Sequence, residues 1–176
     1  MKRPTWLLNR AVLAAHRRQV AEQGGAPGVD LTQLALALGW PKTVLAFTER
    51  RLSLYDLAAA YSEAVLRLRP FESSNARMAY LIGKLFLALN GVQLPAAAGE
   101  QMAMFNALRM GAIGRVRYAQ WMLMRRLAQQ GAAVIGIARH RGGRVLKIDV
   151  MRRAVVRGGS APIAGVQPLT VPMLHN

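Results

Sequence analysis

The residues best suited to chemistry lie in one short stretch from Arg69 to Arg77, which reads Arg-Pro-Phe-Glu-Ser-Ser-Asn-Ala-Arg. Ser73, Ser74 and Asn75 are typical of a junction between a loop and a helix, where the first backbone N–H groups lack partners. Those groups and the helix dipole suit a phosphate or a carboxylate. Arg77 would lie just inside the helix and could clamp the same anion with its planar fork of donors. The stretch predicts an anion site formed by Ser73, Ser74, Asn75 and Arg77.

The segment after this junction is apolar almost all round. Residues 78–89 read Met-Ala-Tyr-Leu-Ile-Gly-Lys-Leu-Phe-Leu-Ala-Leu, as a helix at the centre of a bundle would. Asn90 and Gly91 then tolerate the left-handed conformation that ends helices. A capped core helix after a loop, with no ligand at all, explains the same residues and is the interpretation that physics alone favours.

The stretch also resembles a family. Proteins of the Fic/Doc group, particularly the death-on-curing (Doc) toxins, carry His-x-Phe-x-Asp-(Gly/Ala)-Asn-(Gly/Lys)-Arg before a helix that ends in Leu-x-x-Asn-Gly. Pro70, Phe71, Asn75, Arg77 and the closing Leu-Ala-Leu-Asn-Gly of residues 87–91 fit that pattern. The likeness extends upstream, to Leu13-Ala-Ala-His16, to Gln23-Gly-Gly-Ala-Pro-Gly28 and to the segment from Leu54 to Leu66. It covers residues 7–127 and implies a helical Fic/Doc-like bundle.

Departures from the family motif fall on the positions that carry its chemistry. Arg69 stands where the family has its catalytic histidine, and Ser73 stands where it has the acidic metal ligand. An arginine stays protonated and cannot be a general base. A lone serine is a poor anchor for Mg²⁺, which prefers carboxylates alongside phosphates. The resemblance therefore implies a pseudoenzyme that keeps a frame for ATP or another nucleotide, has no confident catalytic residue, and offers no protein metal site.

Composition limits the class of protein. The 176 residues suit one main domain, with 53% hydrophobic residues and no cysteine, so no disulfide or cysteine metal site is expected. No apolar run is long enough to predict a membrane span, and no signal peptide is evident. A cytoplasmic protein is the simplest interpretation, and a secreted effector is also compatible.

The net charge of +16 is extreme, and no carboxylate occurs between residues 101 and 148. Such a chain is attracted to nucleic acid, to an acidic protein or to an anionic surface. The same arginine content would also follow from a GC-rich genome. Because the family's internal inhibitory motif is absent from the sequence, the resemblance implies an antitoxin-like regulator that acts in trans.

Patterns along the chain predict the elements around the motif. Asp30 should cap a short helix over residues 31–38 that ends at Gly39. His16, on an apolar helical face, is typical of a core or cap histidine. In the family a flap that holds the target lies near residues 40–47, so Thr43, Val44 and Leu45 are candidates to accept an extended partner segment. An ordinary packed connector fits these residues equally well.

The chain is expected to divide into a helical domain (residues 1–130), a basic β-hairpin extension (131–159) and a flexible tail (160–176). Residues 133–139 and 144–150 read as the two strands of the hairpin, around a His-Arg-Gly-Gly turn. Three functions compete: a Doc-like pseudoenzyme that binds a nucleotide and a protein partner, an active toxin that transfers a phosphate or AMP to a protein hydroxyl by an altered mechanism, and a basic nucleic-acid-binding module.

Overall fold

The chain is mainly helical. The computed structural model describes residues 3–140, with side chains described for residues 3–131. The helices in that part of the chain are α1 (Asn9–Gln23), α2 (Leu31–Phe47), α3 (Leu54–Leu68), α4 (Asn75–Leu89), α5 (Ala98–Arg109) and α6 (Arg115–His140). Two compact units are distinguished, Met1–Gly131 and Ala132–Asn176. Among the described helices, none has the length and apolar character needed to cross a membrane.

Helices α3 and α4 form the centre of the first unit. Ser53 and Asp56 begin α3 with reciprocal hydrogen bonds, a capping box that satisfies two otherwise free N–H groups. On α4, the side chains of Met78, Ile82 and Phe86 are fully buried. The Phe86 ring lies 5.0 Å from that of Tyr61 on α3. A helix follows the motif as predicted, and it packs one face against α3.

The two central helices approach closely because small residues meet between them. Ser62 Oγ on α3 donates a hydrogen bond of 2.9 Å to the carbonyl oxygen of Ala79 on α4. One turn later, α4 carries Gly83, where a Cβ atom would lie 2.6 Å from Ser62 Oγ and 3.3 Å from the Ala58 carbonyl oxygen. Glycine is thus required here by the packing of α4 on α3.

Replacement of Gly83 with alanine is expected to lower the free energy of unfolding by about 1–3 kcal/mol, because the added methyl group overpacks the α3–α4 contact. Chemical denaturation measures the change. Gly99→Ala in α5 is the matched control, since a Cβ there meets nothing within 4 Å, and it should be neutral or stabilising. A Gly83→Ala protein as stable as the wild type would contradict this packing.

Helix α2 is longer than its sequence predicts. Asp30 caps it as expected, accepting a hydrogen bond of 2.9 Å from the N–H of Gln33. The helix then continues through Gly39 and Pro41 to Phe47. A proline inside a helix costs roughly 3 kcal/mol, but Leu38, Pro41 and Val44 are all buried, and each large apolar side chain that is buried contributes about 1.5–3 kcal/mol. Packing outweighs the local signals that predicted a stop at Gly39.

The prediction of a first hairpin strand is wrong. Residues 133–139 belong to α6, which extends to His140. Extending an existing helix adds one hydrogen bond for each residue ordered, whereas a hairpin must first close a new turn. The apolar β-branched residues at 134, 135 and 137 are typical of a strand. This local pattern does not show that the same residues continue a helix that begins at Arg115. Residues 141–176, with the second predicted strand and the predicted tail, lie outside the described residues.

Candidate anion-binding site

The motif loop between α3 and α4 is held against the turn that follows α1. Val29 and Phe71 form an isolated antiparallel bridge. The Glu72 N–H donates to the Gly28 carbonyl at 2.9 Å, and the Asp30 N–H donates to the Pro70 carbonyl at 2.8 Å. The backbone at the start of α4 is therefore fixed by a segment more than 40 positions earlier in the chain.

Two of the predicted site residues use their side chains to hold this loop. The Asn75 side-chain oxygen accepts from the Phe71 N–H at 3.0 Å, and its NH₂ group donates to the Phe71 carbonyl. Ser73 Oγ donates to the Ala26 carbonyl at 3.1 Å. Asn75 thus satisfies both backbone groups of Phe71, and its side chain is a structural clamp.

The first turn of α4 presents free donors. Among the described contacts, the first hydrogen bond into the start of the helix is from the Met78 N–H to the Ser74 carbonyl, so the N–H groups of Asn75, Ala76 and Arg77 have no partner there. Ser74 is in the left-handed conformation, with φ 60°, and makes no side-chain cap. Its Oγ is buried without a hydrogen bond. Such a helix end carries the positive partial charge that favours an anion.

These donors border an open cleft with a volume of about 520 Å³. Its lining comes from the end of α1 and the turn after it, the loop and first turns of α4, and one face of α5: Gln23, Gly24, Gly25, Ser73, Ser74, Ala76, Arg77, Tyr80, Met102, Phe105, Asn106 and Arg109. Ser73, Ser74 and Arg77 are thereby brought together as the sequence predicts. Asn75 and Arg69 do not line the cleft.

Arg109 is the residue that sequence reasoning missed. It lies in the last turn of α5 and lines the cleft together with Arg77 of α4. Both side chains are exposed, and neither has an ion pair or hydrogen bond within the described part of the chain. By contrast, the carboxylates Glu63 and Glu100 are paired with Arg115 and Arg125. Two uncompensated guanidinium groups therefore face one cleft beside the start of α4.

The lining of the cleft contains no aspartate, glutamate or histidine. Over the described residues, no group of three or more acidic or histidine side chains could hold a metal ion. Glu72 lies next to Ser73 in sequence, but it is exposed and does not line the cleft. The cleft can therefore bind an anion through hydrogen bonds and charge, but its lining supplies no carboxylate or imidazole as a general base.

Arg69 occupies a conformationally unusual position. It caps the end of α3 in the left-handed conformation, with φ 49°, and its N–H donates to the Val65 carbonyl at 3.0 Å. The side chain is exposed. Glycine is the usual residue in this conformation at a helix end, so nothing in the backbone explains an arginine here.

The prediction that residues 43–45 could accept an extended partner segment is wrong. Thr43, Val44 and Leu45 lie in α2, where the backbone groups form helical hydrogen bonds and cannot pair with a strand. Val44 is buried against the core, whereas Thr43 and Leu45 face outward. The alternative interpretation, a packed connector, describes this segment better.

His16 of α1 packs against Phe71 of the motif loop. It is 1% exposed, and its ring centroid lies 4.5 Å from that of Phe71. Its Nε2 has no hydrogen-bond partner in the described structure. Burial lowers the pKa of the imidazole, since an apolar environment disfavours the charged form. The interpretation of His16 as a core histidine agrees with this position.

Protein stability is expected to fall as the pH drops below about 6.5, the ordinary pKa of histidine. The unfolded chain takes up a proton there, whereas folded His16 resists protonation until its own lower pKa is reached. The slope is at most about 1.4 kcal/mol per pH unit between those two values. Denaturation midpoints from pH 7.5 to 5 measure it. His16→Gln should lose this slope, and an unchanged slope in that variant would assign the titration to other groups.

The resemblance to Fic/Doc proteins rests on the motif residues themselves. No protein-family model matches the chain, and no curated protein matches it.

Proposed function

We propose that this chain is a Doc-like pseudoenzyme, which binds a nucleotide or another phosphate-bearing ligand in the cleft at the start of α4 and acts by binding a protein partner. The observation that carries the proposal is the convergence of two uncompensated arginines, Arg77 and Arg109, with the free N–H groups of the first turn of α4. An anion at this point gains hydrogen bonds, charge neutralisation and a favourable helix dipole together.

The apolar wall of the cleft favours a ligand with a flat apolar part beside its phosphates. Phe105 and Tyr80 have ring centroids 5.2 Å apart and both line the cleft with Met102. The phosphates would lie toward Arg77 and Arg109, and a base or another planar group would lie along Tyr80 and Met102, since Phe105 itself is only 2% exposed. ATP is the natural first ligand to test, with inorganic triphosphate and adenosine as its two halves.

Calorimetric titration of the full chain tests this function. ATP and triphosphate should both bind, and adenosine should bind at least about 100-fold more weakly, because charge-assisted hydrogen bonds contribute roughly 1.5–3 kcal/mol each. Equal affinities for ATP and adenosine, or no binding of ATP at all, would contradict an anion site.

The active-toxin alternative differs in chemistry rather than in binding. Transfer of a phosphate or AMP to a hydroxyl needs a base for the hydroxyl proton, and the loss of a general base typically costs about 100-fold to 10,000-fold in rate. Wild type incubated with ATP labelled at the α- or γ-phosphate and a cell extract is expected to label no protein. Robust labelling that requires the intact cleft would establish an enzyme instead.

Nucleic-acid binding is the second candidate function, favoured by the net charge of +16 and by the absence of carboxylates between residues 101 and 148. Affinity for DNA or RNA should then fall steeply with salt, with a log–log slope proportional to the number of phosphates contacted. Deletion of residues 131–176 should flatten that slope. Nanomolar binding at physiological salt would place this function above the pseudoenzyme.

A further inference from the structure

The resemblance to Fic/Doc proteins implies a magnesium ion beside the phosphates of the ligand, and the lining of the cleft does not fit one. Ser73 stands at the position of the family's acidic metal ligand. Its Oγ donates a hydrogen bond to the Ala26 carbonyl oxygen at 3.1 Å. A neutral hydroxyl supplies none of the negative charge with which carboxylates hold Mg²⁺. A metal ion in the cleft would therefore have no charged ligand among the described side chains.

The carboxylate next to Ser73 in sequence is held elsewhere. Glu72 packs its carboxylate directly over Gly28, where an added Cβ atom would collide with it, and neither residue lines the cleft. Asp149 is the one acidic side chain of the sequence outside the described part of the chain, and none of the others lines the cleft. The described lining thus offers oxygen ligands only from hydroxyls, side-chain amides and backbone carbonyls, all of them without charge.

The charges that line the cleft repel a cation. Arg77 and Arg109 carry two positive charges, with no acidic side chain in the lining to offset them, and the first turn of α4 adds the positive end of a helix dipole. Ser74 also lines the cleft, and its Oγ is a buried hydroxyl without a hydrogen-bond partner in the described structure. These groups stabilise an anion by charge and hydrogen bonds, which is also what a metal ion does. A magnesium ion on the phosphates would compete with them.

The charge of the cleft matches one terminal phosphate. A phosphate monoester carries about 1.5 to 2 negative charges at pH 7, close to the combined charge of Arg77 and Arg109. A triphosphate carries more charge and is usually bound together with metal ions that neutralise it. Its adjacent phosphates chelate Mg²⁺, whereas a single phosphate has no neighbouring phosphate with which to share the ion. The monoester is therefore the ligand that reaches the cleft free of metal when Mg²⁺ is abundant.

Tyr80 and Met102 favour a flat group attached to that phosphate. The Tyr80 hydroxyl donates to Gln101 Oε1 at 2.9 Å, and the Gln101 amide donates to the carbonyl oxygens of Leu94 and Ala96. The ring is thus fixed before any ligand arrives. Met102 is 43% exposed, and its flexible thioether can adapt to the flat group. A nucleobase offers both the planar shape and the apolar faces that such a wall suits.

We propose that the cleft binds a nucleoside monophosphate and takes its phosphate without a metal ion. This inference rests on the function proposed above and narrows the class of ligand. Magnesium, which the resemblance implies as a helper of phosphate binding, competes with this site for the phosphates of ATP. ATP then binds well only when it is free of metal, and AMP binds whether or not Mg²⁺ is present.

Calorimetric titration of the full chain with AMP and with ATP, each in EDTA and in excess Mg²⁺ at constant ionic strength, tests the inference. Mg²⁺ should weaken the binding of ATP at least about 10-fold, because the metal complex presents less negative charge to the two arginines. The affinity for AMP should change by less than about two-fold, since neither the cleft nor a single phosphate holds the ion well. AMP should also bind more tightly than ribose 5-phosphate, which lacks the base.

Ala76→Asp supplies the missing carboxylate. Ala76 lines the cleft in the first turn of α4, where an acidic residue suits the helix dipole and preserves the fold. In this variant Mg²⁺ should strengthen the binding of ATP, because the carboxylate and the phosphates can share the ion. Ala76→Asn is the matched uncharged control, and its binding of ATP should still be weakened by Mg²⁺.

The outcomes separate this inference from the proposed function. If wild type binds ATP equally or more tightly in Mg²⁺, the metal-free site is refuted while the anion site stands. If AMP binds no more tightly than ribose 5-phosphate, the nucleoside part is refuted. The same response to Mg²⁺ in Ala76→Asp and Ala76→Asn would overturn the claim that the carboxylate-free lining excludes the ion. If AMP, ATP and triphosphate all fail to bind, with or without Mg²⁺, the proposed function itself is wrong.

Discussion

Replacement of both Arg77 and Arg109 with alanine is expected to weaken ATP binding by at least about 100-fold. Each arginine can make a charge-assisted hydrogen bond to a phosphate, and the loss of one costs roughly 1.5–3 kcal/mol, while 1.4 kcal/mol is a factor of ten in affinity. Either single variant should lie between wild type and the double variant. Isothermal titration at a fixed ionic strength of about 0.15 M, where distant exposed charges are screened, measures the four affinities.

Two controls separate this site from the general basic charge of the chain. Arg117→Ala removes an exposed arginine of α6 that does not line the cleft and should leave the affinity within about two-fold, because exposed charges at a distance are largely screened. Arg77→Lys keeps the charge but loses the planar fork, so an intermediate affinity is expected. If Arg117→Ala weakens binding as much as the double variant, ATP is held by net charge and not by the cleft.

Replacement of Asn75 with alanine is expected to lower the free energy of unfolding by about 2–3 kcal/mol. The Asn75 side chain bonds both the N–H and the carbonyl of Phe71, which is 2% exposed, so its removal leaves two backbone groups without partners in a loop with little access to water. Each unsatisfied buried group costs about 1–3 kcal/mol, partly offset where water can enter. Urea denaturation measures the change.

Asn106→Ala is the matched control for this prediction. Asn106 also borders the cleft, but its side chain makes no hydrogen bond with any described residue. Its replacement should change stability by less than about 0.5 kcal/mol. Equal effects of the two substitutions would mean that the Asn75 clamp does not stabilise the loop. Because Asn75 positions the start of α4, its loss should also weaken ATP binding.

Local chemistry was enough to predict several parts of this fold. The caps at Asp30 and Ser53 depend on residues within one turn of sequence, and the almost continuous apolar run of residues 78–89 predicted the helix α4. Each of these signals acts over a few residues. The structure contains both caps and this helix.

Features that depend on contacts between distant segments could not be predicted in the same way. Gly39 and Pro41 are local signals for the end of a helix, yet α2 continues because side chains on both sides of them are buried. Arg109 reaches the cleft only because the end of α5 lies beside the start of α4, and no spacing in the sequence indicates that proximity. Ser73 and Asn75 were predicted as ligand-binding residues, but the structure occupies their side chains with the bonds that hold the loop.

At Arg69 the family motif and the structure indicate different roles. The resemblance places it at the position of a catalytic histidine, whereas the structure gives it a left-handed helix-end conformation and an exposed side chain outside the cleft lining. The anion site that we propose therefore depends on backbone N–H groups, Arg77 and Arg109. It does not depend on the residue that replaces the histidine.

The most direct test of this central claim observes the first turn of α4 itself. In ¹H–¹⁵N NMR spectra of the full chain, addition of ATP or inorganic triphosphate should shift the backbone amide signals of Asn75, Ala76 and Arg77, together with those of Gly24 and Gly25 across the cleft. Adenosine at the same concentration should leave the three helix-start amides unchanged. If triphosphate shifts only signals outside the cleft, or shifts none, the start of α4 is a capped core helix without a ligand and the proposed anion site does not exist.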